Sequence, residues 1–378
     1  MSAWPGKYVI GLTGNIATGK SVVRKMLEHL GAYGIDADAL SHRAISRSAP
    51  GYKKVVDTFG KWIVAQDGEI DRAKLSRLVF PDPEAMRLLE TIIHPLVRDA
   101  IDILVRRSKH KVIVIEAIKL LEGDLHTYCD SIWVADASQD AQILRLIKNR
   151  GLSTEAAWER IRGQNAQSEK LSRADIIIQN YKSFEATWKQ VAAAWQITVP
   201  AEAHIPAPKK KKVPEGTFSV QRARPQEAGM IAEFINRQSH KPQKLSRSDI
   251  MAAFGEKAFL LLMNGEKIVG LMGWQVENLV ARVDDVFVEE NISLTNAMKT
   301  MTEEVEQASK ELQCEASLLF LPPDIAKYRD LWKTVGYDTR TVKDLSVRAW
   351  QDAAAESMKP GTVMFFKQLR KDRVLRPV

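Results

Sequence analysis

The stretch that most constrains the fold is YVIGLTGNIATGKS at residues 8–21, where an apolar run leads into a glycine-containing turn. Gly14, Gly19, Lys20 and Ser21 satisfy the pattern GxxxxGK[ST], and helix-forming residues follow. This order of strand, turn and helix is the context in which the pattern forms a phosphate-binding loop. The glycines let N–H groups point inward at phosphate oxygens, and the helix adds the positive end of its dipole.

The loop predicts a nucleotide site with ATP and Mg²⁺ as cofactors. We expect Lys20 to reach the β- and γ-phosphates and the Ser21 hydroxyl to hold Mg²⁺. The alternative, a glycine-rich turn with a solvated lysine, is disfavoured by the flanking strand and helix. The predicted nucleotide-binding residues are Gly14, Asn15, Ile16, Ala17, Thr18, Gly19, Lys20, Ser21 and Val22.

Length and composition narrow the class of protein. A chain of 378 residues predicts two domains, or three. Cys129 and Cys314 have no CxxC partner, so neither a disulfide framework nor a structural zinc site is expected, and a cytoplasmic location fits. The sequence shows no apolar run long enough to cross a bilayer and no charged-then-apolar leader before the loop, so no membrane association is expected. The formal charge of +8 suits a basic nucleotide cleft, and nucleic-acid binding is disfavoured.

The first 196 residues alternate apolar strands with helical patterns. This alternation predicts an α/β fold of the P-loop NTPase type, with a parallel sheet, helices on both faces and a lid. The predicted strands are 33–38, 112–115, 132–134 and 174–178, after the one at 8–13. The predicted helices are 49–62, one from Asp71, one begun by Pro81 and Pro83 and running towards His110, 137–150 and 153–170.

The pattern changes after residue 196. Residues 197–216 carry four prolines and the lysine run 209–212, which predicts an interdomain linker. The lysine run is read as a solvated tether, with an anion-binding patch as the alternative. The following α+β pattern is predicted to comprise strand 218–222, helix 226–238, hairpin 258–274, strand 281–288, helix 294–312, strand 315–320 and helix 327–335. The predicted domains are thus 1–196 and 217–372, with a tail at 373–378.

Two aspartates follow the helix of the phosphate-binding loop. A right-handed crossover would bring the end of strand 33–38 to the edge of the sheet that holds the loop. Asp36 and Asp38, two apart on a strand, would share a face, one orienting Mg²⁺ or water and the other accepting a proton. The alternative is a helix cap.

A charged stretch farther along the chain predicts a lid. Arg145, Arg150, Arg160 and Arg162 lie within LRLIKNRGLSTEAAWERIRGQ, and two of the four are expected to approach the nucleotide. The alternative for each of these arginines is an exposed helix face.

Six motifs in order make residues 8–196 resemble the dephospho-coenzyme A (dephospho-CoA) kinase family. They are GLTGNIATGKS, IDADALS, HPLVR, LLEG, RIRGQNAQSEK and ADIIIQN. The resemblance implies ATP-dependent phosphorylation of the ribose 3′-hydroxyl of dephospho-CoA, by a nucleotide core with substrate-binding helices and a lid. It implies Asp38 as the base, with Asp36 ancillary, and it implicates His94 and Arg98 in binding the acceptor. Lys20 and Arg145 complete the predicted catalytic residues, and Asp36 and Arg162 complete the predicted substrate-binding residues.

Three departures from the family pattern mark places to examine. Asn15 stands where the family has a second glycine, so an unusual backbone angle is first to be sought there. Residues 116–120 read EAIKL instead of aspartate, any residue, proline, leucine, leucine, which affects the substrate side. Asn149 and Arg150 replace arginine and aspartate, so Arg150 could act from a shifted register.

Residues 216–370 resemble the GNAT N-acetyltransferase fold through element order and the segments LLLMNGEKIVGLMGW, VDDVFVEEN and LWKTVGY. In that fold a glycine-rich turn holds the cofactor's pyrophosphate. Residues 291–298, NISLTNAM, contain no glycine. The interpretations left open are a degenerate CoA- or acetyl-CoA-binding module, an active N-acyltransferase and a structural partner. Tyr328 and Tyr337 are read as packing aromatics, with a general acid as the alternative.

The combined prediction is a kinase that uses ATP and dephospho-CoA, fused to a GNAT-like domain. The alternatives are a P-loop kinase of another small hydroxyl compound and a nucleotide-sensing regulatory protein. The sequence does not determine the oligomeric state.

Overall fold

The computed structural model describes residues 3–204, 218–239 and 243–375. The strands of the N-terminal half are Tyr8–Thr13 (β1), Tyr33–Asp36 (β2), Val112–Glu116 (β3), Ser131–Asp136 (β4) and Ile176–Gln179 (β5). They form one parallel sheet in the order β2-β3-β1-β4-β5. The predicted parallel α/β architecture is confirmed, and β1 lies in the middle of the sheet.

Helices cover both faces of this sheet. They are Lys20–His29 (α1), Ala37–Ala44 (α2), Tyr52–Phe59 (α3), Arg72–Val79 (α4), Pro83–Arg107 (α5), Gln139–Arg150 (α6), Thr154–Arg162 (α7), Gln167–Leu171 (α8) and Phe184–Thr198 (α9). The predicted starts of α4 and α5 are confirmed, because the side chains of Asp71 and Asp82 accept N–H groups of the first helical turns. Neighbouring residues of β1, Val9 and Ile10, are buried in different clusters, as expected for a strand covered on both faces.

Two predicted elements are corrected by the structure. The strand predicted at 33–38 ends at Asp36, because the Asp36 carboxylate accepts the N–H of Ala39 at 2.8 Å and starts α2. Asp38 is therefore helical, and the placement of both aspartates on one strand face is wrong. The helix predicted at 153–170 is two helices, α7 and α8, separated at residues 163–166.

The C-terminal half contains a second, mixed sheet. Its strands are Phe218–Arg222 (β6), Ala258–Asn264 (β7), Lys267–Glu277 (β8), Val280–Val288 (β9), Ala316–Leu321 (β10), Asp338–Thr339 (β11) and Val363–Gln368 (β12). They lie in the order β11-β12-β10-β9-β8-β7-β6, and β9 and β10 pair in parallel while the other neighbours are antiparallel. The predicted α+β fold and the hairpin 258–274 are confirmed, but Asn264 still belongs to β7, so the turn is Gly265-Glu266, one residue later than predicted, with Gly265 at φ 62°.

The helices of this half pack on both faces of its sheet. They are Ala228–Gln238 (α10), Arg247–Ala253 (α11), Leu294–Glu311 (α12), Pro323–Ala326 (α13), Arg329–Thr334 (α14) and Arg348–Ser357 (α15). The sequence analysis did not predict α11, α15 or β12. Tyr337 is completely buried and its hydroxyl donates to Ser317 Oγ at 2.9 Å, which confirms the packing interpretation, whereas Tyr328 is half exposed.

The predicted linker and tail extend beyond the described residues. Helix α9 ends at Thr198 and β6 begins at Phe218, while the lysine run 209–212 lies outside the described part of the chain. Val374 and Leu375, in the predicted tail, are buried against the N-terminal half. Within the described ranges, no helix combines the length and apolar character that crossing a membrane requires.

Candidate active site

The turn between β1 and α1 has the backbone of an anion-binding loop. Gly14, Ala17 and Gly19 have φ of 144°, 59° and 94°. A Cβ on Gly19 would lie 1.8 Å from Nδ2 of Asn180, which donates to the carbonyl of Thr18. Gly19 is thus required both by the backbone conformation and by the close approach of a neighbouring side chain.

The unusual angle sought at Asn15 is found instead at Ala17. Asn15 is buried outside the left-handed region; its N–H donates to Gln167 Oε1 at 3.0 Å and its Nδ2 to the carbonyl of Asn165 at 2.9 Å. These contacts tie the loop to the segment after α7. Ala17 lies in the left-handed region, where a Cβ costs about 1 kcal/mol.

Lys20 is buried at the start of α1, with Nζ 3.2 Å from the carbonyl of Asn15. Burial lowers the pKa of Lys20, whereas the negative charges of Glu116, Asp38 and Asp36 act to raise it. The lysine and three carboxylates therefore form one electrostatic group around the loop. A phosphate group entering here would meet the ammonium group of Lys20, whose positive charge the nearby carboxylates favour.

Glu116 is the most informative residue that the sequence analysis did not assign to the site. It ends β3, the strand beside β1, and its Oε1 accepts the Ser21 hydroxyl at 2.9 Å. Its Oε2 pairs with Arg24 Nε at 2.6 Å. The signal available in the sequence was a carboxylate directly after a buried apolar strand.

The oxygens of Ser21 and Glu116 suit Mg²⁺, which in P-loop proteins is held by a hydroxyl, a carboxylate at the end of a neighbouring strand, phosphates and water. Among the described residues, no group of three or more His, Cys, Asp or Glu side chains is arranged to hold a metal. A Mg²⁺ site that takes most of its ligands from phosphate and water needs no such group.

Asp36 and Asp38 have different structural roles. Asp36 caps α2, and burial together with the Glu116 charge raises its pKa to about 6. Asp38, in the first turn of α2, accepts the N–H of Ile118 at 3.0 Å through Oδ2, and burial raises its pKa also. Of the two carboxylates, Asp38 lines a cleft beside the start of α2.

This cleft, called the acceptor cleft below, lies between α2, α5 and the segment after β3. The residues that line it include Ala37, Asp38, Ser41, His94, Val97, Ala117, Lys119, Gly123, Asp124 and Leu125. His94 is exposed at the cleft, and Arg98 pairs with Asp124 at 2.8 Å on its rim. His94 thus lines the same cleft as Asp38, and Arg98 reaches the cleft through Asp124, while the substrate-binding role of both residues stays a prediction.

The predicted lid arginines separate into two groups. Arg145 approaches the loop, with Nη1 2.9 Å from the carbonyl of Ala17 and Nη2 bonded to the carbonyl of Asn180. Arg162 is exposed on α7, over the ring of Trp158, so its substrate-binding role stays a prediction. Arg150 and Arg160 are also exposed.

Three polar side chains that the sequence analysis did not assign join the lid segment to the site. Gln164 Oε1 accepts the N–H of Ile16 at 2.7 Å, and Gln167 bonds Asn15 as described above. Lys170 is buried, with Nζ 2.8 Å from the carbonyl of Ile118 and 2.7 Å from Glu122 Oε1. Lys170 therefore places a second buried cation beside the group formed by Lys20 and Asp38.

A phosphate-binding loop on a parallel sheet, a buried lysine, paired hydroxyl and carboxylate oxygens and a carboxylate facing an adjacent cleft define a P-loop kinase. The family model described as dephospho-CoA kinase matches residues 8–185. The dephospho-CoA kinase of Symbiobacterium thermophilum is 42% identical over 202 residues, covering 53% of this chain and 84% of that protein. The enzyme of Carboxydothermus hydrogenoformans is 39% identical over 191 residues, covering 50% and 93%. The chain belongs to the dephospho-CoA kinase family.

The C-terminal half is similar to different proteins. The solved ribosomal-protein-S18-alanine N-acetyltransferase of Escherichia coli is 10% identical, covers 42% of this chain and 97% of its own, and has a TM-score of 0.33. The expected GNAT-type arrangement is supported by the strand order itself, in which a parallel pair, β9 and β10, interrupts an otherwise antiparallel sheet.

Proposed function

We propose that the chain transfers the γ-phosphoryl group of ATP to the ribose 3′-hydroxyl of dephospho-CoA. Membership of the family supports the reaction, and the contacts around the loop support the roles of particular residues. Phosphoryl transfer depends mainly on positioning and on stabilising charge on the phosphate oxygens, so cations and N–H donors carry most of the catalysis.

The phosphate side of the reaction belongs to the loop. Lys20 binds the β- and γ-phosphate oxygens, together with the loop N–H groups and the N-terminus of α1. Ser21 and Glu116 would hold Mg²⁺, which neutralises charge on the phosphates when bound. Arg145 and Lys170 are placed to add positive charge beside the transferring group.

The acceptor side belongs to the cleft. Asp38 accepts the proton of the attacking hydroxyl, and its raised pKa suits this role because a carboxylate with a higher pKa is a stronger base. His94 and Arg98 line the path by which the rest of the acceptor enters. The observation that carries the proposal is that Asp38 belongs to both parts: it lines the acceptor cleft and interacts electrostatically with Lys20.

A coupled assay of ADP release with purified full-length protein tests the proposal. We expect turnover with dephospho-CoA, and a loss of at least 100-fold for Asp38→Asn. The matched control is Asp99→Asn, on the exposed face of α5, with a change below twofold. Turnover only with another hydroxyl compound would favour the alternative kinase, and no turnover with any acceptor would favour a nucleotide-sensing protein.

Binding of CoA or acetyl-CoA by the C-terminal half stays a prediction. Titration calorimetry of the full chain carrying Lys20→Ala, with acetyl-CoA as the probe, tests this prediction. The substitution removes the lysine of the phosphate-binding loop, which could otherwise bind the phosphates of the probe. A saturable binding heat that excess dephospho-CoA, filling the acceptor cleft, does not abolish supports a cofactor site in this half, and the absence of such a heat favours a structural partner.

A further inference from the structure

The two halves of the chain meet at helices that carry the proposed catalytic groups. Helix α1 begins with Lys20 and Ser21, and α2 carries Asp38 in its first turn. The C-terminal half contacts both helices beyond their first turns. It therefore contacts the active site indirectly, through the helices on which the site is built.

The strongest of these contacts is made by Arg43, in the last turn of α2. Its Nη1 donates to the carbonyl of Asn278 at 2.9 Å, and its Nη2 pairs with Glu315 Oε2 at 2.5 Å. Arg43 is 7% exposed and Glu315 is 1% exposed. Because water is excluded from the pair, removing either partner leaves a buried charge without its counter-charge.

The turn that Arg43 contacts is itself well defined. Asn278 and Leu279 join β8 to β9 and both have positive φ, 49° and 60°, as in a tight hairpin turn. This turn projects from the second sheet towards α1 and α2, and just before it the carbonyl of Val276 accepts Lys25 Nζ of α1 at 2.7 Å. One hairpin thus bonds to both helices.

Apolar packing follows the same path. Leu279, Val374 and Leu375 are buried in the cluster that contains Leu40 and Ala44 of α2, and Leu312 packs against its edge. Helix α2 also packs against α5, which contributes residues to the same cluster and lines the acceptor cleft together with α2. Helix α2 therefore contacts the C-terminal half and lines the cleft at the same time.

We propose that Arg43 is a positioning residue, through which the C-terminal half sets the place of α2 and hence of Asp38 in the acceptor cleft. Asp38 and Arg43 are five residues apart on one short helix, about 7.5 Å along its axis. A shift of α2 at Arg43 is therefore transmitted to Asp38. The C-terminal half acts as a part of the kinase site, whether or not it binds a ligand of its own.

This inference rests on the proposed function and is tested on the full chain by steady-state kinetics. We expect Arg43→Ala to lower kcat/KM for dephospho-CoA at least tenfold, while the Kd of a non-hydrolysable ATP analogue changes less than twofold. The two effects separate because Arg43 lies on α2 and its side chain bonds the C-terminal half, not the phosphate-binding loop. Arg43→Lys keeps the charge next to Glu315 but has no fork to bond Asn278 as well, so a partial recovery is expected.

The matched control is Arg247→Ala. Arg247 on α11 also pairs across the two halves, with Glu185 of α9 at 3.3 Å, but this pair is exposed and touches neither α1 nor α2. We expect its kinetic constants to change less than twofold. If Arg43→Ala does not accumulate as folded protein, the same kinetic measurements are made on the double variant R43M/E315Q. This variant removes both charges of the pair, so it leaves no unpaired buried charge.

The outcomes are distinguishable. If the unmodified chain turns over and Arg43→Ala, or the double variant, has normal kcat/KM for the acceptor, the inference is overturned and the proposed function stands. If Arg43→Ala lowers the turnover of the acceptor and the amount of protein that binds the ATP analogue by the same factor, Arg43 has only a structural role. That result would overturn the inference as well. If the unmodified chain does not turn over dephospho-CoA, the proposed function itself fails.

Discussion

Each half of the molecule contains a strand-to-helix turn at the place where its fold is expected to bind phosphate, and the two turns differ. In the turn from β1 to α1, three residues have left-handed φ and the helix start has no side-chain cap. In the turn from β9 to α12, residues 289–293 all have negative φ, and the Ser293 side chain accepts the N–H of Asn296. The helix dipole is present in both.

The comparison shows that a helix N-terminus after a strand does not by itself make an anion site. At the first turn, no side chain caps the N-terminal N–H groups of α1. At the second turn, the Ser293 side chain accepts one of the N-terminal N–H groups of α12. The buried carboxylates of the two halves differ too. Burial raises the pKa values of Asp36 and Asp38 beside the first turn, whereas Asp284, inside the strand β9 that precedes the second turn, pairs with Lys257 at 2.6 Å and has a lowered pKa.

The largest expected effect is on phosphate binding at the first turn. Lys20→Ala should lower kcat for dephospho-CoA phosphorylation at least 1000-fold, about 4 kcal/mol of transition-state stabilisation, because the cation at the transferring phosphate is lost. The matched variant is Lys299→Ala, near the start of α12, with a change below twofold. A similar loss in both variants, measured by ADP release, would remove the distinction between the turns.

The next effect concerns buried charge. Asp36→Asn keeps a good helix cap and removes one of three neighbouring carboxylates, so it should raise the free energy of unfolding at pH 7 by about 1 to 3 kcal/mol. The pKa of Asp36 is about 6 when folded and 3.8 in its ordinary state, so its stabilising contribution, complete in acid, is lost as pH rises through 6. The gain in Asp36→Asn should therefore vanish below about pH 4 in denaturant titrations.

Asp284→Asn is the contrasting variant for that measurement. The pKa of Asp284 is lowered, since Lys257 and Lys359 outweigh the effect of burial, so its carboxylate stabilises the fold at neutral pH and loses that effect as pH falls. We expect Asp284→Asn to destabilise the protein at pH 7, with a difference that shrinks in acid. Equal signs for the two variants at pH 7 would contradict the electrostatic contrast.

A smaller effect is expected from the backbone of the first turn. Ala17→Gly should raise the free energy of unfolding by about 1 kcal/mol, because glycine adopts a φ of 59° without a Cβ clash. Ala297→Gly, inside α12, should instead destabilise by about 1 kcal/mol or more. Chemical denaturation of both variants checks the opposite signs, and destabilisation by Ala17→Gly would mean that its Cβ makes a needed contact.

The smallest effect is at the second turn. Ser293→Ala removes a cap whose hydrogen bond is long, 3.5 Å, so we expect a loss of about 0.5 kcal/mol in stability and no change in kinase kcat. Calorimetry with CoA adds a sharper readout. A new CoA-binding heat in this variant would show that the cap was what prevented anion binding there.

Much of the site could be predicted because its signals are local. The phosphate-binding loop occupies one short segment whose glycines, lysine and serine have fixed roles. Arg145 lies at the loop, where a lid arginine was expected, and His94 lies in the same cleft as Asp38. The Asp36 and Asp38 geometry was wrong because a helix cap competes with strand continuation at Asp36. Gln164, Gln167 and Lys170 were not assigned because their partners lie on other elements. Glu116 carried a local signal, its place directly after a buried strand, but its partner Ser21 is 95 positions away.

The sequence by itself determined the loop, the alternation of strands and helices, the change of pattern after residue 196 and the resemblance of the first half to the dephospho-CoA kinase family. These depend on backbone preferences and on periodic burial, which act within a few residues. Tertiary structure alone decided that Glu116 meets Ser21, that Ala17 and not Asn15 adopts the left-handed conformation, and that Arg43 pairs with Glu315. Such contacts join residues up to 272 positions apart, and only the packing of complete elements brings them together.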